Sequence, residues 1–196
     1  IGNKTTAGKA YSAANIKIDS KGVWLTASEM AFCRAEGALA GWSNMGGSAK
    51  DLYEEGVKLS FEQWGAGSAT AYLADNTSTE KNYVDPISEY GGDVSAVSNI
   101  TIKWDDSATD EQKMERLITQ KWIAMFPNGQ EGWSEIRRTG YPKVFPLAQS
   151  TDYSIQVANR IPFDIDEATN NKANYIKAVQ LLKGNDDYAT KMWWQR

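Results

Sequence analysis

Two capped helix starts, with a short polar turn between the first helix and the second, constrain this chain more than any other feature. Thr26-Ala27-Ser28-Glu29 and Ser48-Ala49-Lys50-Asp51 each place an acid three residues after a hydroxyl. In that spacing the hydroxyl accepts from an orphan backbone N–H of the first turn, and the acid can reach back to the cap residue. Good helix formers follow each box. The pattern predicts one helix over 26–42 and a second over 48–64, with Ser43-Asn44-Met45-Gly46-Gly47 as the turn. Ala31, Ala35, Gly37, Ala38 and Gly41 give the first helix a small-residue side that lets a neighbour approach closely. Tyr53, Val57, Phe61 and Trp64 recur about one turn apart on the second, as a buried stripe. Glu36 reads as a paired or capped carboxylate. The product is an αα-hairpin. Gly37, Ala49, Tyr53 and Gly56 fit part of the tetratricopeptide spacing, without its Trp-x-x-Leu-Gly opening, its closing Pro or a second copy in register. One such hairpin cannot bury its own face, so it needs neighbours.

The rest of the chain supplies candidates. A short helix is expected around 68–74. Thr109 with Gln112 caps a third long helix over 107–126, with Met114, Leu117, Ile118, Trp122 and Met125 on its inner face. Pro127-Asn128-Gly129 stops it, and a fourth helix follows over 130–139 with Trp133 and Ile136 inward. A fifth is expected over 167–182. Residues 1–25, 76–106 and 143–166 read as irregular or extended, with brief strands at 16–19 and 100–104. An irregular stretch as long as 76–106 is uncommon in a compact domain and is often functional. The fold class is therefore mostly α: tetratricopeptide-like helical hairpins with long irregular loops and minor short strands. We read 1–196 as a single α-helical domain.

Composition removes whole classes of function. The chain has no His, which excludes His-based triads, imidazole metal sites and His proton shuttles. Its formal net charge is −4 and its basic residues are scattered, so no phosphate-tracking groove for nucleic acid is expected. No apolar run approaches the roughly 20 residues of a membrane span. Phosphate-binding loops and the Gly-x-Ser-x-Gly elbow are missing. Asp105, Asp106, Asp110 and Glu111 lack EF-hand spacing and read as a loop-to-helix cap. Neither catalytic residues nor a metal or cofactor are assigned. Cys33 is expected to be a small inert core residue. Arg137-Arg138-Thr139-Gly140-Tyr141-Pro142 is read structurally: Arg side chains clamp carboxylates or carbonyls of another segment where the helix ends.

Six strings, in order, resemble the C-terminal part of the SusD/RagB family. They are Thr26–Glu29 leading into Arg34-Ala35-Glu36-Gly37-Ala38-Leu39; Gly47–Phe61; Ile118–Phe126; Glu131–Pro142; Arg160-Ile161-Pro162-Phe163; and Thr190-Lys191-Met192-Trp193-Trp194. The resemblance implies a surface glycan-binding lipoprotein of Bacteroidetes-type bacteria, without enzymatic activity. It implies an outer-membrane location through an N-terminal lipid, and delivery of oligosaccharide or polysaccharide to a SusC-like TonB-dependent transporter. Family members are longer than this chain, and Ile1-Gly2-Asn3 carries neither an initiator Met nor a secretory core, so we expect a C-terminal piece. The shared strings are scaffold and carry no ligand residue over.

Glycan contacts are therefore sought by chemistry. The chain has 8 Trp, 9 Tyr and 5 Phe, most of which a helical domain uses to fill gaps between helices. Loop-borne aromatics are freer to stack on the apolar faces of sugars. This selects Tyr83, Tyr90 and Trp104 as candidate glycan-stacking residues, against loop or core packing. Two other functions remain open from the residues alone: a helical scaffold offering a groove to a peptide, and a glycan-cleaving enzyme using two acids.

Overall fold

The computed structural model describes residues 11, 14–20, 22–86, 92–145 and 157–195. Among them are seven helices: α1 (Ala27–Leu39), α2 (Ala49–Trp64), α3 (Thr70–Ala74), α4 (Asp110–Ala124), α5 (Gly129–Thr139), α6 (Ile165–Asn170) and α7 (Lys172–Leu182). The four longer N-terminal helices start where their caps dictate. Thr26 accepts from the Glu29 N–H and Ser48 from the Asp51 N–H. Both halves of the Thr109–Gln112 capping box are made, and Asn128 caps α5. Gly65 and Gly140 end α2 and α5 in the left-handed region, where a side chain would be strained.

The α1–α2 hairpin finds its neighbour inside the chain. Helix α4 lies against it, and the core forms where the three meet: Phe32 and Ala35 of α1, Leu52, Tyr53 and Val57 of α2, Leu117 and Ile118 of α4, with Trp104 and Tyr141 from the connections. Small residues set the closeness. The ring of Phe32 packs so tightly on Gly56 that a β-carbon there would sit 2.8 Å from its Cζ. Beside it the Ser28 hydroxyl donates to the Gly56 carbonyl at 2.7 Å, fixing the crossing.

Helix α4 and its C-cap bury Leu117, Ile118 and Met125 of the expected stripe, and α4 and α5 bury charge as well. Trp133 and Ile136 are only half-buried, whereas Gly132, Glu135 and Thr139 are buried. The Lys121 ammonium pairs with Glu135 at 2.7 Å, both nearly inaccessible. Arg138 closes the network, donating to the other Glu135 oxygen at 2.6 Å and bidentately to Glu36 at 2.6 and 2.8 Å. This ties α1, α4 and α5 together and is the clamp expected of the Arg pair. Cys33, by contrast, is exposed on α1 and is not a core residue. It lies on the face of α1 opposite the buried Ala31, Phe32 and Ala35.

Two further expectations change. Neither 16–19 nor 100–104 forms a strand. Among the described residues the one strand-like pairing is an isolated antiparallel bridge between Tyr83 and Val94. Side chains take the place of a partner strand at 100–104: the Tyr53 hydroxyl donates to the Ile102 carbonyl, and Arg116 Nε to the Thr101 carbonyl. The fifth helix is broken at Asn171, whose φ of −135° is not helical. Its amide donates to Glu167 and its carbonyl oxygen accepts from Asn174, local bonds that compete with the helical ladder.

Candidate functional site

The described parts of the long loop, residues 75–86 and 92–106, are held by their own polar side chains. One Asp75 oxygen accepts from the Thr77 and Ser78 backbone N–H groups, each at 2.9 Å. The Ser78 hydrogen bonds, with those of Thr77, hold its carboxyl well below the usual range. Glu80 accepts from the N–H groups of Val97 and Ser98, Asn82 from that of Ala96, and Asp93 from that of Asp85. Asp105 folds the turn into α4 through Ser107. These acids accept from backbone donors and so hold the described parts of the loop, 75–86 and 92–106, where regular structure is scarce.

That shape leaves a cleft of about 410 Å³ between the loop, α3, the C-terminal half of α4 and residues 142–145. Tyr72, Trp122, Ile100 and Phe145 give it aromatic and aliphatic walls, and Glu80 and Lys143 give it polar ones. The Tyr72 hydroxyl donates to Gln120 at 2.9 Å, and burial pushes its phenol up. Lys143 pairs at 3.0 Å with Glu115, which also accepts from the Ser98 hydroxyl at 2.7 Å. The arrangement offers ring faces to apolar C–H groups and a few charged rims to hydroxyls. Among the described residues no group of three or more Cys, Asp or Glu side chains is placed to hold a metal ion.

The three aromatics singled out in the sequence are treated differently by the fold. Tyr83 stands at the edge of the cleft, half-buried, its ring 6.1 Å from that of Phe145. Its hydroxyl lies 3.4 Å from that of Tyr11, whose phenol this contact pushes up to about 12. Trp104 belongs to the core. It is 7% exposed, packs at 5.2 Å on Tyr53 and donates to Asp106. A ring so enclosed cannot stack on a ligand, and sequence alone did not reveal this because the loop folds inward at that point. Tyr90 lies outside the described residues.

Trp122, Tyr72 and Phe145 escaped the sequence reading. The helical spacing puts Trp122 on the buried stripe, yet it is 41% exposed. The neighbouring Ile123 was the available signal, since an apolar pair in succession extends the apolar arc past one face. Arg137 has a different place from Arg138: its guanidinium lies between the rings of Trp133 (3.9 Å) and Trp194 (4.6 Å). With Gln195 reaching the Arg137 carbonyl and Asn159, this fastens the C-terminal tail to α5.

Comparison with known proteins bears on this geometry. A family model described as SusD-like, SusD and RagB outer membrane lipoprotein, matches residues 1–195. A SusD homolog from Bacteroides uniformis is 44% identical, with a TM-score of 0.87, over 95% of this chain and 39% of its own. A SusD-like protein from Bacteroides thetaiotaomicron is 49% identical, with a TM-score of 0.77, over 86% of this chain and 36% of its own. A chitin-binding SusD homolog from Flavobacterium johnsoniae is 46% identical, with a TM-score of 0.77, over 87% of this chain and 36% of its own. The chain thus spans 36–39% of the length of these relatives. No curated protein matches it.

Proposed function

This chain belongs to the SusD-like family, and from that premise we propose that it is part of a non-catalytic glycan-binding component of an outer-membrane nutrient-uptake system. In this reading the protein lies at the cell surface, held by an N-terminal lipid. It passes oligosaccharides to a SusC-like TonB-dependent transporter. The observation that carries the reading is likeness over nearly the whole chain to SusD homologues, one of them chitin-binding. The loop cleft suits such a ligand: Trp122, Tyr72 and Phe145 offer apolar ring faces, and Glu80 and Lys143 lie in its polar wall. Tyr83 at its edge is a proposed stacking residue, and Tyr90 is proposed on sequence grounds alone.

The test is calorimetric titration of the chain with neutral hexasaccharides of glucose, xylose and N-acetylglucosamine, with chromatography of the sugars afterwards. Saturable binding with every sugar recovered intact supports the reading, and Tyr83→Ala should weaken it about threefold to tenfold at unchanged melting temperature. Cleaved sugar would replace it with an enzymatic function. Transporter capture by a cooperatively folded chain that binds no sugar would replace it with a protein-interaction scaffold.

A further inference from the structure

The walls of the loop cleft differ in what holds them. Tyr72, Gln120 and Trp122 come from helices, whose own backbone bonds keep them in place. Ser98, Ile100, Lys143 and Phe145 come from two segments with neither helix nor strand. Such segments keep one position only where side chains satisfy and fix their backbone. One residue reaches both. Glu115, on the second turn of α4, does not line the cleft, yet its two carboxylate oxygens divide between these walls. Oε1 accepts from the Ser98 hydroxyl at 2.7 Å, and Oε2 from the Lys143 ammonium at 3.0 Å. We propose that Glu115 is the positioning residue of this cleft, setting where the loop wall and the 142–145 wall stand relative to each other. The inference rests on the reading of the cleft as a binding site and adds a residue that acts on it from behind its lining.

Burial gives the arrangement its force. Glu115 is 4% exposed. A carboxylate so far from water must keep its partners, because an unpaired buried charge costs far more than the bonds it makes would gain. The two walls are thus drawn to one point. Neighbours on α4 fix the root of each wall: Glu111 accepts from the Tyr141 hydroxyl at 2.6 Å, and Arg116 donates to the Thr101 carbonyl at 2.9 Å. Glu115 joins the walls to each other.

The bonds around it pass this restraint to the cleft lining. The Ser98 hydroxyl donates to Glu115 and accepts from the Ile100 N–H at 3.2 Å, so its orientation is set from both sides. The Val97 and Ser98 N–H groups are held in turn by Glu80. On the other wall, Phe145 lies two residues beyond Lys143 and packs on Tyr83 with ring centroids 6.1 Å apart. A shift at Lys143 therefore carries the aromatic edge with it. Binding sites lose affinity when their supporting residues let the lining drift by about 1 Å, even though every lining residue is still present.

The experiment compares Glu115→Gln, Ser98→Ala and Ser98→Thr with the parent chain by NMR and by calorimetry with the hexasaccharides named above. Glutamine keeps an oxygen for Ser98 but turns an NH2 group toward Lys143, so it releases the 142–145 wall. Ser98→Ala releases the loop wall and leaves the Lys143 pair, and Ser98→Thr returns the hydroxyl. Glu115→Gln is expected to weaken the Tyr83–Phe145 ring-to-ring NOE while Val97 amide exchange barely moves. Ser98→Ala is expected to speed Val97 exchange about tenfold while the NOE stays, and Ser98→Thr to reverse it. Glu115→Gln and Ser98→Ala should each weaken the binding hexasaccharide about tenfold, with Ser98→Thr recovering most of the loss. Where Glu115→Gln melts below the assay temperature, the two Ser98 variants decide. Unchanged exchange and NOE would overturn the proposal. So would a uniform rise in exchange through α1 and α2, which marks a role in stability alone, or released walls with sugar affinity intact. If no hexasaccharide binds the parent while each wall responds to its own variant, the glycan-binding reading falls and the positioning of the walls by Glu115 stands.

Discussion

Replacing Gly56 by Ala sets two effects of similar size against each other at the closest point of the α1–α2 hairpin. Alanine is the better helix former, by about 1 kcal/mol in a helix interior. Gly56 sits in mid-helix, so that gain applies in full. Against it, the added β-carbon would stand 2.8 Å from Phe32 Cζ and 2.9 Å from both Cε atoms. Carbon atoms sit comfortably at about 3.5–4.0 Å, so the ring must retreat by roughly 1 Å. It has nowhere to go. Phe32 is wholly buried, its edge rests on Tyr53 at 6.2 Å, and Tyr53 rests on Trp104 at 5.2 Å. The helices cannot easily part either, because Ser28 bonds the Gly56 carbonyl. Overpacking of this kind costs about 1–3 kcal/mol, and more where the core is rigid on every side. The net expectation for Gly56→Ala is a loss of about 1–2 kcal/mol, or about 3–6 °C in melting temperature for a chain of this size. Urea and thermal unfolding followed by far-UV circular dichroism measure both. Phe32→Leu in the Gly56→Ala background should recover part of the loss, with a coupling of about 1 kcal/mol between the two sites. Gly129→Ala is the control, since nothing lies within 4 Å of its added carbon and its stability should not fall. A Gly56→Ala chain as stable as the parent would refute the argument, because propensity would then have won over packing.

Other consequences follow from the same core. Glu135→Gln should destabilise by about 2–4 kcal/mol in urea unfolding at pH 7, because it leaves the buried Lys121 without its charged partner. Burial raises the Glu135 carboxyl, but hydrogen bonds from Arg138 and Lys121 outweigh it and hold the net value below the ordinary 4.5. Asp186 is likewise lowered on balance: burial raises it, and Arg160 with the Phe163 N–H outweighs that. A carboxyl depressed in the native state stabilises above its unfolded value and loses that contribution as pH falls through its native one. Urea midpoints should therefore drop as pH goes below 4.5, and less steeply in Glu135→Gln; a midpoint flat to pH 3 would contradict the pairing. Tyr53→Phe removes the donor to the Ile102 carbonyl and should cost about 1–2 kcal/mol, with faster hydrogen exchange at 100–104. Trp194→Ala removes one face of the Arg137 sandwich, worth about 0.5–1 kcal/mol. It should expose residues 189–195 to limited proteolysis while barely moving the melting temperature.

What the sequence by itself determined is local and periodic. The caps at Thr26, Ser48 and Thr109 and the glycine stop at Gly140 depend on interactions within one turn, so their spacing was enough to place the helices. The paired role of Glu36 and the clamp of Arg138 were also legible, because a charged group beside small and apolar neighbours needs a partner. Only the tertiary structure decided what depends on distant segments. Trp104 and Trp122 are the same residue type, yet the loop turns one into the core while α4 presents the other. Cys33 reads as a core residue and is exposed, because the core takes the side of its helix that carries Ala31, Phe32 and Ala35. Glu135 and Lys121 are buried as a pair, and the 100–104 segment forms no strand because side chains from elsewhere and the Asp75 carbonyl take up its backbone groups. The loop cleft joins Tyr72, Trp122 and Phe145 from three separate segments, and no periodicity in the chain could have announced that meeting. Periodicity reports which face of an element is apolar; what covers that face is settled by contacts between segments far apart in the chain.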